Sequence, residues 1–202
     1  MSSIIEENKE ANNDFIPDYI INNWEDSKLD LKDILLRAIY AHGFEKPSSI
    51  QQKAVYPMTK SLYDSKYGVR PRDIIAQAQS GTGKTGAFTV STLQIVDETQ
   101  KNVQALILAP THELARQIHS VIEALSIYLK INTVCAVGGI PVDVNKKEIL
   151  DKKPQIVVGT PGRIHDIIKR KILNTEHIKL MVLDEADEML SSGFKDQMYK
   201  IF

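Results

Sequence analysis

Apolar residues at Leu31, Ile34, Leu35, Ala38 and Ile39 recur at the spacing of one helix face. Asp30 is positioned to cap that helix, Asp33 follows three residues on, and Gly43 ends it. A second helix is expected from Ser48 or Ser49, just after Pro47. Beyond it the pattern changes to short aliphatic and β-branched runs at 73–77, 103–109, 133–137, 155–158 and 180–183. Helical stretches such as 113–129 and 163–169 fall between them. Runs that are apolar throughout, not alternating, fit strands covered on both faces. The βαβα succession therefore predicts an α/β domain with a parallel sheet and helices on both faces.

Two segments lie outside this pattern. Residues 1–23 are polar, with Glu6, Glu7, Glu10, Asp14 and Asp18 against Lys9 alone. They read as a flexible acidic tail with a short ordered piece at 15–21, so that the domain proper is expected to be 24–202. Residues 60–72 form a long irregular connection leading into the first strand at its amino end. Ligands of open α/β sheets sit at the carboxyl ends, so this segment reads as an insertion away from the site.

Composition adds limits. The 202 residues are 43% hydrophobic and 25% charged, as in ordinary globular domains, and long enough to bury a core without covalent staples. One cysteine, Cys135, allows no internal disulfide and points to a reducing compartment; its apolar strand makes it inert core. The run at 105–109 is far too short to span a bilayer, and the first residues have no signal-peptide pattern. The formal net charge is −1, yet between Lys146 and Lys179 nine Lys and Arg face four acidic residues. That local excess can offer a basic face to an anion.

The chemistry is concentrated in two places. AQAQSGTGKTG, residues 76–86, follows one predicted strand and enters a helix, the context a phosphate-binding loop requires. Gly81 and Gly83 allow a tight turn and close approach of backbone N–H groups to phosphate, together with Thr82 and Gly86. Lys84 can reach the β- and γ-phosphates and Thr85 can ligate Mg²⁺. The general pattern has glycine where this chain has Ala78. The second place is LMVLDEAD, residues 180–187, where a strand ends in adjacent carboxylates. Asp184 is the candidate Mg²⁺ ligand and Glu185 the candidate base that orients water, with Lys84 the third catalytic candidate.

These motifs resemble those of the DEAD-box ATP-dependent RNA helicases, from about Trp24 to Phe202. GFEKPSSIQ at 43–51 is similar to the family's Q motif, and the form of the P-loop with alanine at position 78 matches as well. Pro110 to Ala115 resembles motif Ia, Gly138-Gly139 the paired glycines, Thr160 to Arg163 motif Ib, and Asp184 to Asp187 motif II. The resemblance implies a RecA-like P-loop NTPase domain using ATP and Mg²⁺. In it Gln51 would read adenine, with Phe44 and Lys46 flanking the base and Tyr40 a rival stacking partner. It implies that Pro110, Thr111, Gly138, Gly139, Thr160, Pro161, Gly162 and Arg163 bind single-stranded or structured RNA along its backbone. His112 departs from the family's usual arginine, and Trp24 is expected to be core.

The wording of the Q motif and motif II is most similar to the translation-initiation branch. That branch implies initiation scaffold proteins as partners, a cytoplasmic setting, no membrane association, and a monomer in isolation. The alternatives are a splicing or RNA-surveillance relative, which would be nuclear, or a non-catalytic RNA- or nucleotide-binding fragment. The family continues with a Ser-Ala-Thr motif and a second domain, and the Ser-Ala-Thr strand would lie between the P-loop strand and the 180–183 strand. These 202 residues alone are therefore expected to lack those strands, and with them RNA-stimulated ATPase and unwinding activity.

Overall fold

The computed structural model describes residues 19–60, 73–191 and 193–202. Helix α1 (Asp33–Ala41) and α2 (Ser49–Lys60) precede α3 (Lys84–Ile95). Then follow β1 (Ala105–Leu108), α4 (His112–Leu125), β2 (Thr133–Ala136), α5 (Val142–Lys152), β3 (Ile156–Gly159), α6 (Pro161–Lys169), β4 (Leu180–Leu183), α7 (Ala186–Ser191) and α8 (Lys195–Ile201). The strands form one parallel sheet in the order β2-β3-β1-β4. The α/β expectation with covered faces holds.

Alternation along each strand divides the interior in two. Ala105, Ile107, Ile156 and Val158 face a core built with Leu35, Ile39, Val55, Phe88, Leu93, Ile118 and Ile122 from α1 to α4. Leu106, Leu108, Val134 and Val157 face a second core with Ile149, Ile164, Ile167, Met189 and Met198 from α5 to α8. The register pairs Leu108 with both Gly159 and Leu183, and Gly159 with Ala136. All four strands therefore end in line, and the turns that follow share one edge of the sheet.

Two expectations change. Residues 73–77 form no strand, although their pattern matches β1. They pair with no strand among the described residues, and β4 is paired only with β1. A strand exists through its ladder, so an aliphatic run without a partner stays extended and open. Ile75 is accordingly 98% exposed. Helix α1 begins three residues after Asp30, which is not its cap. Asp30 instead takes φ +50°, and the Lys32 ammonium donates to the carbonyls of Leu93 and Val96 at the end of α3.

The described part of the tail, residues 19–23, is docked, and its first three residues overlap the ordered piece expected at 15–21. Ile21 and Trp24 are buried, the Ile21 amide donates to the Gln52 carbonyl, and the Tyr19 and Tyr56 rings lie 4.7 Å apart. The ordered domain thus includes residue 19, while residues 1–18 and 61–72 lie outside the described part. Among the described residues no helix is long and apolar enough to cross a membrane.

Candidate functional site

The turn before α3 builds the first half of the site. Gly81 and Gly83 take φ +78° and +102°, and Gly83 is the cap residue from which α3 departs. Lys84, Thr85 and Gly86 therefore occupy the first helical turn, where amides point outward and the helix end is positive. The Lys84 ammonium donates to the Ala78 carbonyl at 2.9 Å and lies 3.6 Å from a Glu185 carboxylate oxygen. One side chain thus spans the phosphate loop and the end of β4.

Asp184 is fixed by its amide, which donates to the Leu108 carbonyl at 3.0 Å and carries the β4 ladder one residue further. Its carboxyl is buried, and burial pushes its pKa up, with the charge of Glu185 adding to the effect. Lys84 and the Glu185 amide pull it partly back. The raised pKa means that the ionised form costs folding stability once pH rises above the ordinary carboxylate range. Glu185 stands at φ +53°, so the turn that aims its side chain is itself in the left-handed region.

A buried acid under-compensated by cations suits a divalent ion. Among the described residues no group of three His, Cys, Asp or Glu could hold a metal. Mg²⁺ takes one or two protein oxygens and completes its shell with phosphate and water, so a site without three such ligands can still suit it. Asp184 and Thr85 are the residues that could supply those oxygens.

A cavity of about 470 Å³ opens beside this turn, lined by Phe44, Lys46, Gln51, Gly81, Thr82 and Gly83 among others. It unites the Q-motif residues with the P-loop as expected. Tyr40 lies outside that lining, and its hydroxyl donates to Glu25. Gln51 is buried, and its carboxamide is partly engaged. Its oxygen accepts from the Ser48 amide at 2.8 Å and its nitrogen donates to the Gly83 carbonyl at 3.1 Å. One N–H and one lone pair remain. Gln51 thus braces the phosphate loop as well as facing the cavity, a role that needed the loop's geometry to be seen.

A second cavity of about 370 Å³ lies at the same sheet edge, lined by Pro110, His112, Gly138, Thr160, Gly162 and Arg163, with Asp166 and Phe194. The amino ends of α4 and α6 border it. Thr111 caps α4 by accepting from the Leu114 amide, and Thr160 with Pro161 starts α6. Gly138 packs against the His112 ring so closely that a Cβ there would sit 3.1 Å from Nε2. Gly139 turns at φ +81°. Arg163 has both terminal nitrogens on protein acceptors, the Asn145 side-chain oxygen and the Ile140 carbonyl. The sequence reading missed Asn145, Asp166 and Phe194. Only the Asp166–Arg170 spacing carried a signal, an i,i+4 ion pair whose hydrogen bond holds the Asp166 carboxyl below its usual range.

Trp24 is core, as expected. Cys135 is half-buried, and burial raises its thiol pKa, which keeps it protonated and unreactive.

A family model described as DEAD/DEAH box helicase matches residues 48–202. Eukaryotic initiation factor 4A of Drosophila melanogaster is 51% identical over 183 residues, covering 91% of this chain and 42% of that protein. ATP-dependent RNA helicase eIF4A of Chaetomium globosum is 50% identical over 185 residues, covering 92% and 43%. Among solved structures, a DEAD box protein from Methanococcus jannaschii superposes with a TM-score of 0.76 at 40% identity, covering 90% of this chain and 46% of that one. Saccharomyces cerevisiae Dbp5 bound to RNA and ADP BeF3 gives 0.73 at 37% identity, covering 87% and 42%. The chain spans less than half the length of these relatives.

Proposed function

The chain belongs to the DEAD/DEAH box helicase family, and on that premise we propose that it forms the ATP-binding half of an ATP-dependent RNA helicase. The observation that carries the reading is the meeting of the motifs at the carboxyl ends of the strands, where Pro110, Gly138 and Thr160 line one cavity and Lys84 of the phosphate loop lies 3.6 Å from Glu185 after β4.

In the first cavity Phe44 and Lys46 flank the adenine, and the free N–H and lone pair of Gln51 pair with its edge. The amides of Gly81 to Gly86 and the Lys84 ammonium hold the phosphates. Thr85 and Asp184 would hold Mg²⁺, which would supply neutralisation of the phosphate charge. Lys84 exchanges Glu185 for phosphate, which frees the Glu185 carboxylate to orient water.

At the second cavity the exposed amides of the glycine pair and of the α4 and α6 starts contact the RNA backbone, with Pro110, Thr111, Thr160, Pro161 and Gly162 shaping the track. Such contacts position RNA without reading its sequence. The two relatives about 50% identical to this chain are named eIF4A and eukaryotic initiation factor 4A, so the setting we propose is the unwinding of messenger RNA structure during cytoplasmic translation, with initiation scaffold proteins as partners.

Fluorescence anisotropy with a labelled oligouridylate tests the RNA side. Single-stranded RNA is expected to bind, with log affinity falling against log salt by about 0.7 for each phosphate contacted. Absence of binding at low salt, or binding indifferent to salt, would contradict it.

A further inference from the structure

The turn between β2 and α5 carries two successive glycines, which alone leave its amides poorly ordered. It is pinned from two sides. On one side the His112 ring, at the start of α4, packs on Gly138. On the other, Arg163 reaches out of α6 and its Nη2 donates to the Ile140 carbonyl at 2.6 Å, between Gly139 and the α5 cap Pro141. The other terminal nitrogen, Nη1, donates to the Asn145 side-chain oxygen. Asn145 is fully buried on α5, and its side-chain nitrogen has no hydrogen-bond partner. Its oxygen depends on the guanidinium. Withdrawing Arg163 would leave a buried acceptor unpaired and release the turn.

We propose that Arg163 and Asn145 form a clamp that positions the Gly138–Gly139 turn, and that Arg163 is a positioning residue rather than a phosphate ligand. The consequence for RNA rests on the reading of the second cavity given above; the clamp itself does not. A pre-ordered turn presents its amides without paying their ordering entropy on binding. Asp166, one turn along α6, feels the charge of Arg163 and is itself paired with Arg170.

Asn145→Ala separates the two roles because it leaves the Arg163 charge in place. On the 202-residue chain, backbone NMR order parameters at Gly138, Gly139 and Ile140 are expected to fall from about 0.85 to below about 0.6. Oligouridylate affinity should fall about tenfold, the effect of losing one hydrogen bond to a charged group, with an unchanged salt slope. Asn145→Asp restores an acceptor for Arg163 and should keep both near wild type. If Asn145→Ala does not fold, Arg163→Met, at a half-buried position, should show the same lowered order parameters and the same unchanged slope.

Unchanged order parameters in these variants would overturn the clamp. Tighter RNA binding by Asn145→Ala, a freed guanidinium taking a phosphate, would overturn the positioning role. So would a salt slope reduced by about 0.7 in Arg163→Met. Failure of the wild-type chain to bind RNA would instead contradict the functional reading, and the order parameters would then decide the clamp alone.

Discussion

Lys84→Ala is expected to abolish the rise in melting temperature that saturating Mg-ADP gives the wild-type chain. A ligand at a hundred times its dissociation constant stabilises the folded state by about 2.7 kcal/mol. For a domain of this size that corresponds to roughly 5–10 °C. Lys84 is the only side chain found spanning the phosphate loop and the β4 end among the described contacts there. Alanine removes the charge that meets the phosphates and leaves Asp184 beside Glu185 without its cation. The variant without nucleotide should lose under about 1 kcal/mol, because the Lys84–Glu185 pair is partly exposed. A variant that still shifts by several degrees would remove Lys84 from the site.

Gly83→Ala should act on both stability and binding. At φ +102° a side chain is strained by about 1–2 kcal/mol. Its Cβ would also fall 2.7 Å from the Ser48 hydroxyl and 2.8 Å from the Gln51 nitrogen. Overpacking of that kind adds about 1–3 kcal/mol. A loss of about 2–5 kcal/mol in denaturant unfolding is expected, with no nucleotide response, because displaced Gln51 closes the cavity it lines. Gly162→Ala is the control: a Cβ there meets nothing within 4 Å. Equal unfolding midpoints for the two variants would refute the argument.

Where the sequence was legible, local signal and tertiary partner agreed. The runs that became β1 to β4 are aliphatic and each found a neighbour. The run at 73–77 carries the same signal and forms no strand, because composition cannot supply a ladder partner. Asp30 looked like a cap, but the start of α1 is decided by Lys32 reaching the end of α3, some sixty residues on. In the site, the glycine loop and the paired acids were legible because their chemistry fixes their spacing. Arg163 was legible as a cation near RNA motifs, but its partners on α5 and in the glycine turn are set by how α5 and α6 pack. Gln51 drew attention through family resemblance. Its bond to Gly83 joins positions thirty-two residues apart and has no local signature.

The most direct test of the adenine-nucleotide site is thermal unfolding of the chain with excess Mg-ADP and, in parallel, Mg-GDP. The geometry of Gln51, Phe44 and the phosphate loop predicts one cooperative transition, raised by ADP and unmoved by GDP. Equal stabilisation by both nucleotides, or by neither, would contradict it.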